Sequence, residues 1–324
     1  MSSHHHDHGA LDPPRVGALD PPRVEEVADR VFAYVQPDGT WWINNTGFVV
    51  GGVGDGVVAV DTCATERRTR RFLDHVSQVT AEPIRVVVNT HHHGDHTHGN
   101  FLTHPAAIVG HERCRSAILA AGITHFDGVF GDPSPDWGHL EVAPPMITFT
   151  DHLHVHAGDI GVELHYIGTP AHTDNDVVAW LPEQRVLFSG DLVFNGGTPF
   201  VLMGSVTGAL DAIDRLRAFD ADVVVPGHGP VCDMSVLDRL GDYYRFVQRV
   251  ALDAHASGVT PLEAARDTDL GEFAELSDSE RIVGNLHRAM FELDGAAPGA
   301  PIDLVGAITD MIVYNGNRPL RCLA

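Results

Sequence analysis

From residue 30 onward, short apolar runs alternate with turn-forming residues. Val31 to Val35 is closed by Pro37-Asp38-Gly39, and runs from Trp42 to Val50 and from Val57 to Asp61 follow, parted by a glycine-rich turn. Runs so closely spaced predict a meander of strands that begins a sheet. Residues 65–79 are helical by composition, and Val86 to Val88 then predicts a buried strand running into a polar loop. Ala107 to Val109 and Arg113 to Ala121 predict a further strand and helix. Between His125 and Pro145 the chain is rich in turn residues, Gly131-Asp132-Pro133-Ser134-Pro135-Asp136-Trp137-Gly138 among them, which predicts a long loop of the lid or binding type. Strand patterning returns with His152, His154 and His156 on one face, a spacing that fits a solvent-facing sheet surface. After His228 the period changes for good. Leu237, Leu240, Tyr244, Phe246 and Val250 fall at helical intervals within Val236 to Ala256, residues 261–293 continue helical with breaks, and Leu304 to Tyr314 predicts one more helix. The pattern is that of an α/β domain over 25–324 whose last part, about 234–324, is a helical extension packed on it.

Residues 1–24 fall outside this pattern. GALDPPRV stands twice in succession, at 9–16 and 17–24, behind MSSHHHDH, so the segment is expected to be a flexible leader or a tag, and its histidines are set aside. The remaining apolar content is ample for a full core, and no run is long enough for a membrane span. The expectation is a soluble cytoplasmic protein. A formal charge of −23 argues against nucleic acid and against anionic membranes as partners. All 21 basic residues are arginine, which excludes Schiff-base chemistry. Arg67, Arg68, Arg70 and Arg71 crowd the start of a predicted helix, where they oppose its dipole. They read either as a dock for an acidic partner or as a solvated face. Cys63, Cys114, Cys232 and Cys322 lie far apart, so no disulfide framework is expected.

The chemistry lies in His91-His92-His93-Gly94-Asp95-His96, directly after a predicted strand. His91, His93, Asp95 and His96 give one loop four metal-competent side chains. Three more donors follow at strand-to-loop transitions: His172 in GTPAHTDND, Asp191 closing VLFSGD, and His228 in VVVPGHGP. Five histidines and two aspartates suffice for two ions. His91, His93 and His172 form one set, Asp95, His96 and His228 the other, with Asp191 bridging, and His92 stays out of both. Two Zn2+ ions suit the donors, and iron or manganese would also fit. Room for a shared water marks a catalytic site, in which Asp95 and Asp191 are the expected catalytic carboxylates.

HxHxDH, a lone His, SGD and GHG in this order resemble the metallo-β-lactamase superfamily, with Asp61 matching its early supporting aspartate. The resemblance runs from about Val31 to His228 and implies a four-layer αββα sandwich with the metals at one edge, between the sheets. An aspartate at the bridging position is not the pattern of the true β-lactamases. It is kept by thioesterases of the glyoxalase II kind and by lactonases.

Three further segments are similar to ring cyclases of aromatic polyketide pathways built on this fold. They are Trp41-Trp42-Ile43-Asn44-Asn45-Thr46-Gly47, the stretch Gly197 to Val206, and the tail from Tyr314 to Ala324. That resemblance implies cyclase and thioesterase activity on a small-molecule intermediate held by an acyl carrier protein, which the arginine cluster would meet. Trp41, Trp137, Phe194 and Phe200 would then line a pocket for a flat substrate. A general thioester or lactone hydrolase is the alternative, and a non-enzymatic, metal-stabilised binding module the other class. Oligomeric state is not legible.

Overall fold

β-Branched runs pair in chain order to make the first sheet. In this computed structural model, which describes residues 20–124, 126 and 128–324, its strands are β1 (Arg23–Ala28), β2 (Val31–Val35), β3 (Thr46–Val50), β4 (Val57–Val60), β5 (Ile84–Val88), β6 (Ala107–His111) and β7 (Ile147–Phe149), in that order. The first four pair antiparallel, whereas β4 to β7 are parallel. Parallel neighbours need crossovers. Helix α1 (Glu66–Val79) links β4 to β5, a single turn α2 (Gly94–Thr97) lies between β5 and β6, and α3 (Glu112–Ala121) precedes β7.

The second sheet contains β8 (His152–Ala157), β9 (Ile160–Tyr166), β10 (Val177–Leu181), β11 (Val186–Phe194) and β12 (Val223–His228), ordered β12-β11-β10-β9-β8. It is antiparallel except for the parallel β11–β12 pair, whose crossover is α4 (Val206–Arg217). The Ser205 hydroxyl caps α4 by accepting from the Gly208 amide at 2.9 Å. The sequence pattern did not predict α4. Then come α5 (Val236–Ser257), α6 (Pro261–Asp267), α7 (Arg281–Leu293) and α8 (Leu304–Tyr314).

Apolar clusters define the layers. Phe72 and Val76 of α1 pack on Tyr34, Phe48, Val57 and Ala59 outside the first sheet. Val31, Val49, Val58 and Val60 meet Val162, Leu164, Ala179 and Phe188 between the sheets. Ile213, Leu216 and Val247 cover Val178, Leu187 and Val224 on the far face. The result is the expected four-layer αββα sandwich with C-terminal helices packed on it. Burying a side chain such as Phe72 contributes about 1.5–3 kcal/mol.

Some expectations shift. β1 takes up Arg23 and Val24, the last two residues of the duplicated leader, and most of that leader lies outside the described residues. The strand expected from Trp42 starts only at Thr46, because Trp42 sits at φ 66°, a turn conformation. His152, His154 and His156 are exposed on β8. All four cysteines are free. Of the arginine cluster, Arg68 turns inward and donates to Gln36 Oε1 and to the Leu323 carbonyl, both at 2.6 Å, while Arg67, Arg70 and Arg71 stay exposed.

Candidate metal centre

Parallel strands deliver their chain ends to one edge, and the donors collect there. Beyond β4 lies Asp61, held at φ 62°; beyond β5 lies the loop His91 to His93, which α2 follows. The single turn of α2 brings Asp95 and His96 inward and buries both. His172 comes from the β9–β10 connection, and His228 ends β12. Asp191 does not close its strand as expected, because β11 runs on to Phe194. Gly190 adopts φ 52° and the β11–β12 register shifts there, a bulge that aims the aspartate.

The side chains gather as two groups sharing one residue. His91, His93, His172 and Asp191 offer donor atoms within 4.8 Å of one another, and so do Asp95, His96, Asp191 and His228. His93 Nδ1 lies 3.1 Å from His91 Nε2 and 2.8 Å from His172 Nε2. Asp191 Oδ2 lies 3.3 Å from the Nε2 atoms of both His172 and His228, and Asp191 Oδ1 is 3.1 Å from His96 Nε2. His92 belongs to neither group.

Hydrogen bonds on the outer side of each ring decide what faces inward. His172 Nδ1 donates to the Phe200 carbonyl at 2.6 Å, His228 Nδ1 to the Gly39 carbonyl at 3.0 Å, and His96 Nδ1 to Asp61 Oδ2 at 2.8 Å. A neutral imidazole that donates from Nδ1 presents a lone pair at Nε2. Where the rings are neutral, three lone pairs therefore converge on the oxygens of one carboxylate, an arrangement that a bound metal ion, or protonation of the rings, relieves. His96 Nε2 and Asp191 Oδ1 are, moreover, buried without a hydrogen-bond partner. The donor set thus fits divalent metal ions of the zinc type.

The electrostatics agree. Burial would raise Asp191 and Asp95, but the surrounding imidazoles, His228 and His96 foremost, hold both well below the usual carboxylate range. Burial would lower His96 and His228, yet the carboxylates lift His96 well above its ordinary value and His228 to about 9. His91, His93 and His172 are pushed down, mainly by burial. Asp61 is fixed from the other side by the Thr90 amide at 2.8 Å and the Thr90 hydroxyl at 2.7 Å.

The model of the metallo-beta-lactamase superfamily matches residues 39–228, from the glycine whose carbonyl receives His228 to His228 itself. The chain belongs to this superfamily. It is 26% identical over 258 residues to a linear primary-alkylsulfatase of Pseudomonas sp., covering 67% of this chain and 48% of that protein. Thus the chain spans about half the length of that relative. A beta-lactamase-like protein 2 homolog of Caenorhabditis elegans is 26% identical, with 68% of each chain covered. A hydroxyacylglutathione hydrolase of Rhodospirillum rubrum is 29% identical over 43% of this chain and 45% of its own. Among solved structures, a metallo-beta-lactamase from Pontibacter korlensis superposes with a TM-score of 0.56 at 25% identity, covering 69% of this chain and 99% of that one. No helix of the described residues is long and apolar enough to cross a membrane.

In front of the donors lies a cavity of about 350 Å³. His93, Asp95, His172, Asp191 and His228 form its floor. Trp41, Phe194 and Phe200 are on its wall, as expected. Trp137 is not: it lies behind Trp42, edge to face at 4.9 Å between ring centroids, and buries itself in the core. Trp42, Phe126 and Phe130 are the aromatic wall residues not singled out from the sequence, and Ile308 and Met311 of α8 close one side. Trp42 stood inside a quoted segment, but nothing marked it above its neighbour. Arg281 also reaches the wall, sandwiched between Trp41 at 4.2 Å and Phe194 at 5.2 Å. It is already engaged, pairing with Asp278 at 3.2 Å and donating to the Thr198 carbonyl at 3.0 Å. The expected long loop supplies Phe126, Phe130 and Glu141 to Ala143, while residues 125 and 127 lie outside the described residues.

Proposed function

We propose that the protein is a binuclear zinc hydrolase that cleaves ester or thioester bonds of substrates with a bulky, apolar acyl group. One observation carries this reading: both donor groups open onto the same aromatic-walled cavity, so a reactive carbonyl can sit at the floor while its acyl body fills the space above. His91, His93 and His172 would hold one ion, Asp95, His96 and His228 the other, and Asp191 both. Bound zinc supplies Lewis acidity and brings the pKa of water toward about 7. Iron or manganese would suit the same donors.

The remaining work falls to side chains. Asp95, ionised and on the cavity floor, accepts a hydrogen bond from the attacking water and turns its lone pair toward the acyl carbon. Asp191 fixes the spacing of the two groups. Trp41, Phe194 and Phe200 exclude bulk water and orient a flat acyl body.

A finer reading, cyclase and thioesterase action on an aromatic polyketide carried by an acyl carrier protein, is favoured by where the three resembling segments meet. Trp41 bridges to Cys322, its ring lies 4.9 Å from that of Phe200, and Met203 Sδ lies 3.3 Å from His93 Nε2. The first two segments border one cavity, and the tail pairs behind Trp41 through Cys322. Exposed Arg67, Arg70 and Arg71 on α1 would receive the acidic carrier.

The test offers zinc-loaded protein acetyl and 2-naphthoyl thioesters, a long-chain alkyl sulfate and a carrier-bound aromatic polyketide intermediate. Hydrolysis of the naphthoyl thioester in preference to acetyl, abolished by chelation and by Asp191→Ala, is expected. Full turnover by metal-free protein, or turnover of the sulfate alone, refutes the acyl reading. A new fused ring, seen by mass and absorbance, supports the cyclase reading, and release of only the linear acid refutes it.

A further inference from the structure

His92 stands between two ligand candidates yet belongs to neither donor group. Its ring lies 4.7 Å from that of His93, and it lines the cavity. Its Nδ1 is turned away, 3.0 Å from the side-chain nitrogen of Asn175, which is fully buried. The orientation of that amide is fixed by its other neighbour. Asn175 Nδ2 also lies 2.8 Å from Asp174 Oδ1, and a carboxylate can only accept. Both amide hydrogens are thereby assigned, one to Asp174 and one to His92. His92 Nδ1 must accept, so the neutral ring carries its proton on Nε2, on the edge left for the cavity. Among the described residues no group donates to the Asn175 amide oxygen, and the residue is held by its own backbone, which donates to Thr173 Oγ1 at 3.1 Å.

We propose that His92 is a substrate-binding residue whose Nε2–H donates a hydrogen bond to an oxygen of the acyl substrate beside the His91–His93–His172 group, with Asp174 and Asn175 as the relay that sets its tautomer. The proposal rests on the acyl-hydrolase reading for the identity of the substrate. A preorganised neutral donor facing a largely apolar cavity acts without reorganisation when charge develops on the oxygen. Of the loop's three leading histidines, two are then turned to metal and the middle one to substrate.

The experiment compares His92→Phe, which keeps the ring and loses the donor, with His92→Gln, whose amide places a donor near the position of Nε2. Both are loaded with zinc and assayed on the 2-naphthoyl thioester, and zinc content is measured in parallel. The expected result is two equivalents of zinc in each, a loss in kcat/KM on the order of 10- to 100-fold for the Phe variant, and recovery of most of it by the Gln variant. Unchanged kcat/KM in the fully loaded Phe variant overturns the proposal, and so does equal impairment of the two variants. A long-range 1H–15N spectrum of the zinc-loaded wild-type protein, assigned by the signals missing in the Phe variant, reads the tautomer directly. A proton on Nε2 is expected, and a proton on Nδ1 overturns the assignment. Should the wild-type protein cleave none of the substrates, the proposed function has failed separately. The spectrum then still decides, because added 2-naphthoate must shift the His92 Nε2 signal, and no shift overturns the proposal.

Discussion

Replacing Asp61 by asparagine exchanges one non-hydrogen atom of the protein and should weaken one metal site. Asp61 Oδ2 accepts from both the Thr90 hydroxyl and His96 Nδ1, at 2.7 and 2.8 Å, while Oδ1 accepts the Thr90 amide. An amide cannot accept at both ends. If its oxygen keeps the Thr90 amide, its NH2 faces His96 Nδ1, and that ring must move its proton to Nε2. There the proton points at Asp191 Oδ1, 3.1 Å away, and the lone pair that would bind metal is gone. The backbone tolerates the change, since Asp61 sits at φ 62° and asparagine accepts the left-handed region nearly alone among residues of its size. Loss of outer support of this kind typically costs 10- to 100-fold in metal affinity, about 1.4–2.8 kcal/mol. A zinc titration against a chromophoric chelator, with metal content after dialysis, should show one of two sites weakened by that factor and the other within about threefold, on the same scale. Two sites of wild-type affinity would refute the tautomer argument. Equal weakening of both would show that Asp61 supports the whole loop instead of one ring.

Three other outcomes follow from the geometry. In metal-free protein, the neighbouring carboxylates lift His228 against burial from 6.5 to about 9, worth on the order of 3 kcal/mol. That stabilisation is present in full below pH 6.5 and lost as pH rises through 9; denaturant midpoints of chelated protein should therefore fall across this window, and constancy there would contradict it. Gly227→Ala would put a Cβ 2.0 Å from Asp191 Oδ1, so spectroscopy with cobalt in place of zinc should report a disturbed geometry, and an unchanged spectrum would count against the placement of Asp191. Trp41→Ala should raise KM for the naphthoyl thioester by about tenfold, given about 1.5 kcal/mol for an aromatic contact, and leave the acetyl thioester within about twofold. Equal effects on the two would mean that Trp41 does not contact the acyl body.

The reach of the sequence differed from one part of the molecule to another. Ligand candidates stood out because parallel-sheet edges bring strand ends together, and each donor followed an apolar run: Val86 to Val88 before His91, Val223 to Val225 before His228. Asp191 was readable as a donor but not as a strand interior, since the bulge at Gly190 that aims it depends on pairing with β12. The cavity was harder to foresee. Trp41 and Trp42 are adjacent in the chain, yet one meets Phe200 and the other Trp137, and only these tertiary contacts tell them apart. Helix α4 was missed although Val206, Ala209, Ile213 and Leu216 recur at helical spacing, because Gly208 and Ala212 on the same buried face dilute that stripe in the sequence. The inward turn of Arg68 depends on a carbonyl 255 residues further along the chain.

That separation between donors and walls sets an order of assembly during synthesis. Every donor has been made once His228 is in the chain, but the cavity lacks a side until Ile308 and Met311 have been added. At about 5–20 residues per second, the ribosome takes roughly 4–16 s to cover that stretch. All seven donors are therefore synthesised before the last wall of the cavity. Substitutions at Ile308 and Met311 of α8 would reshape that wall without touching any of the seven donors.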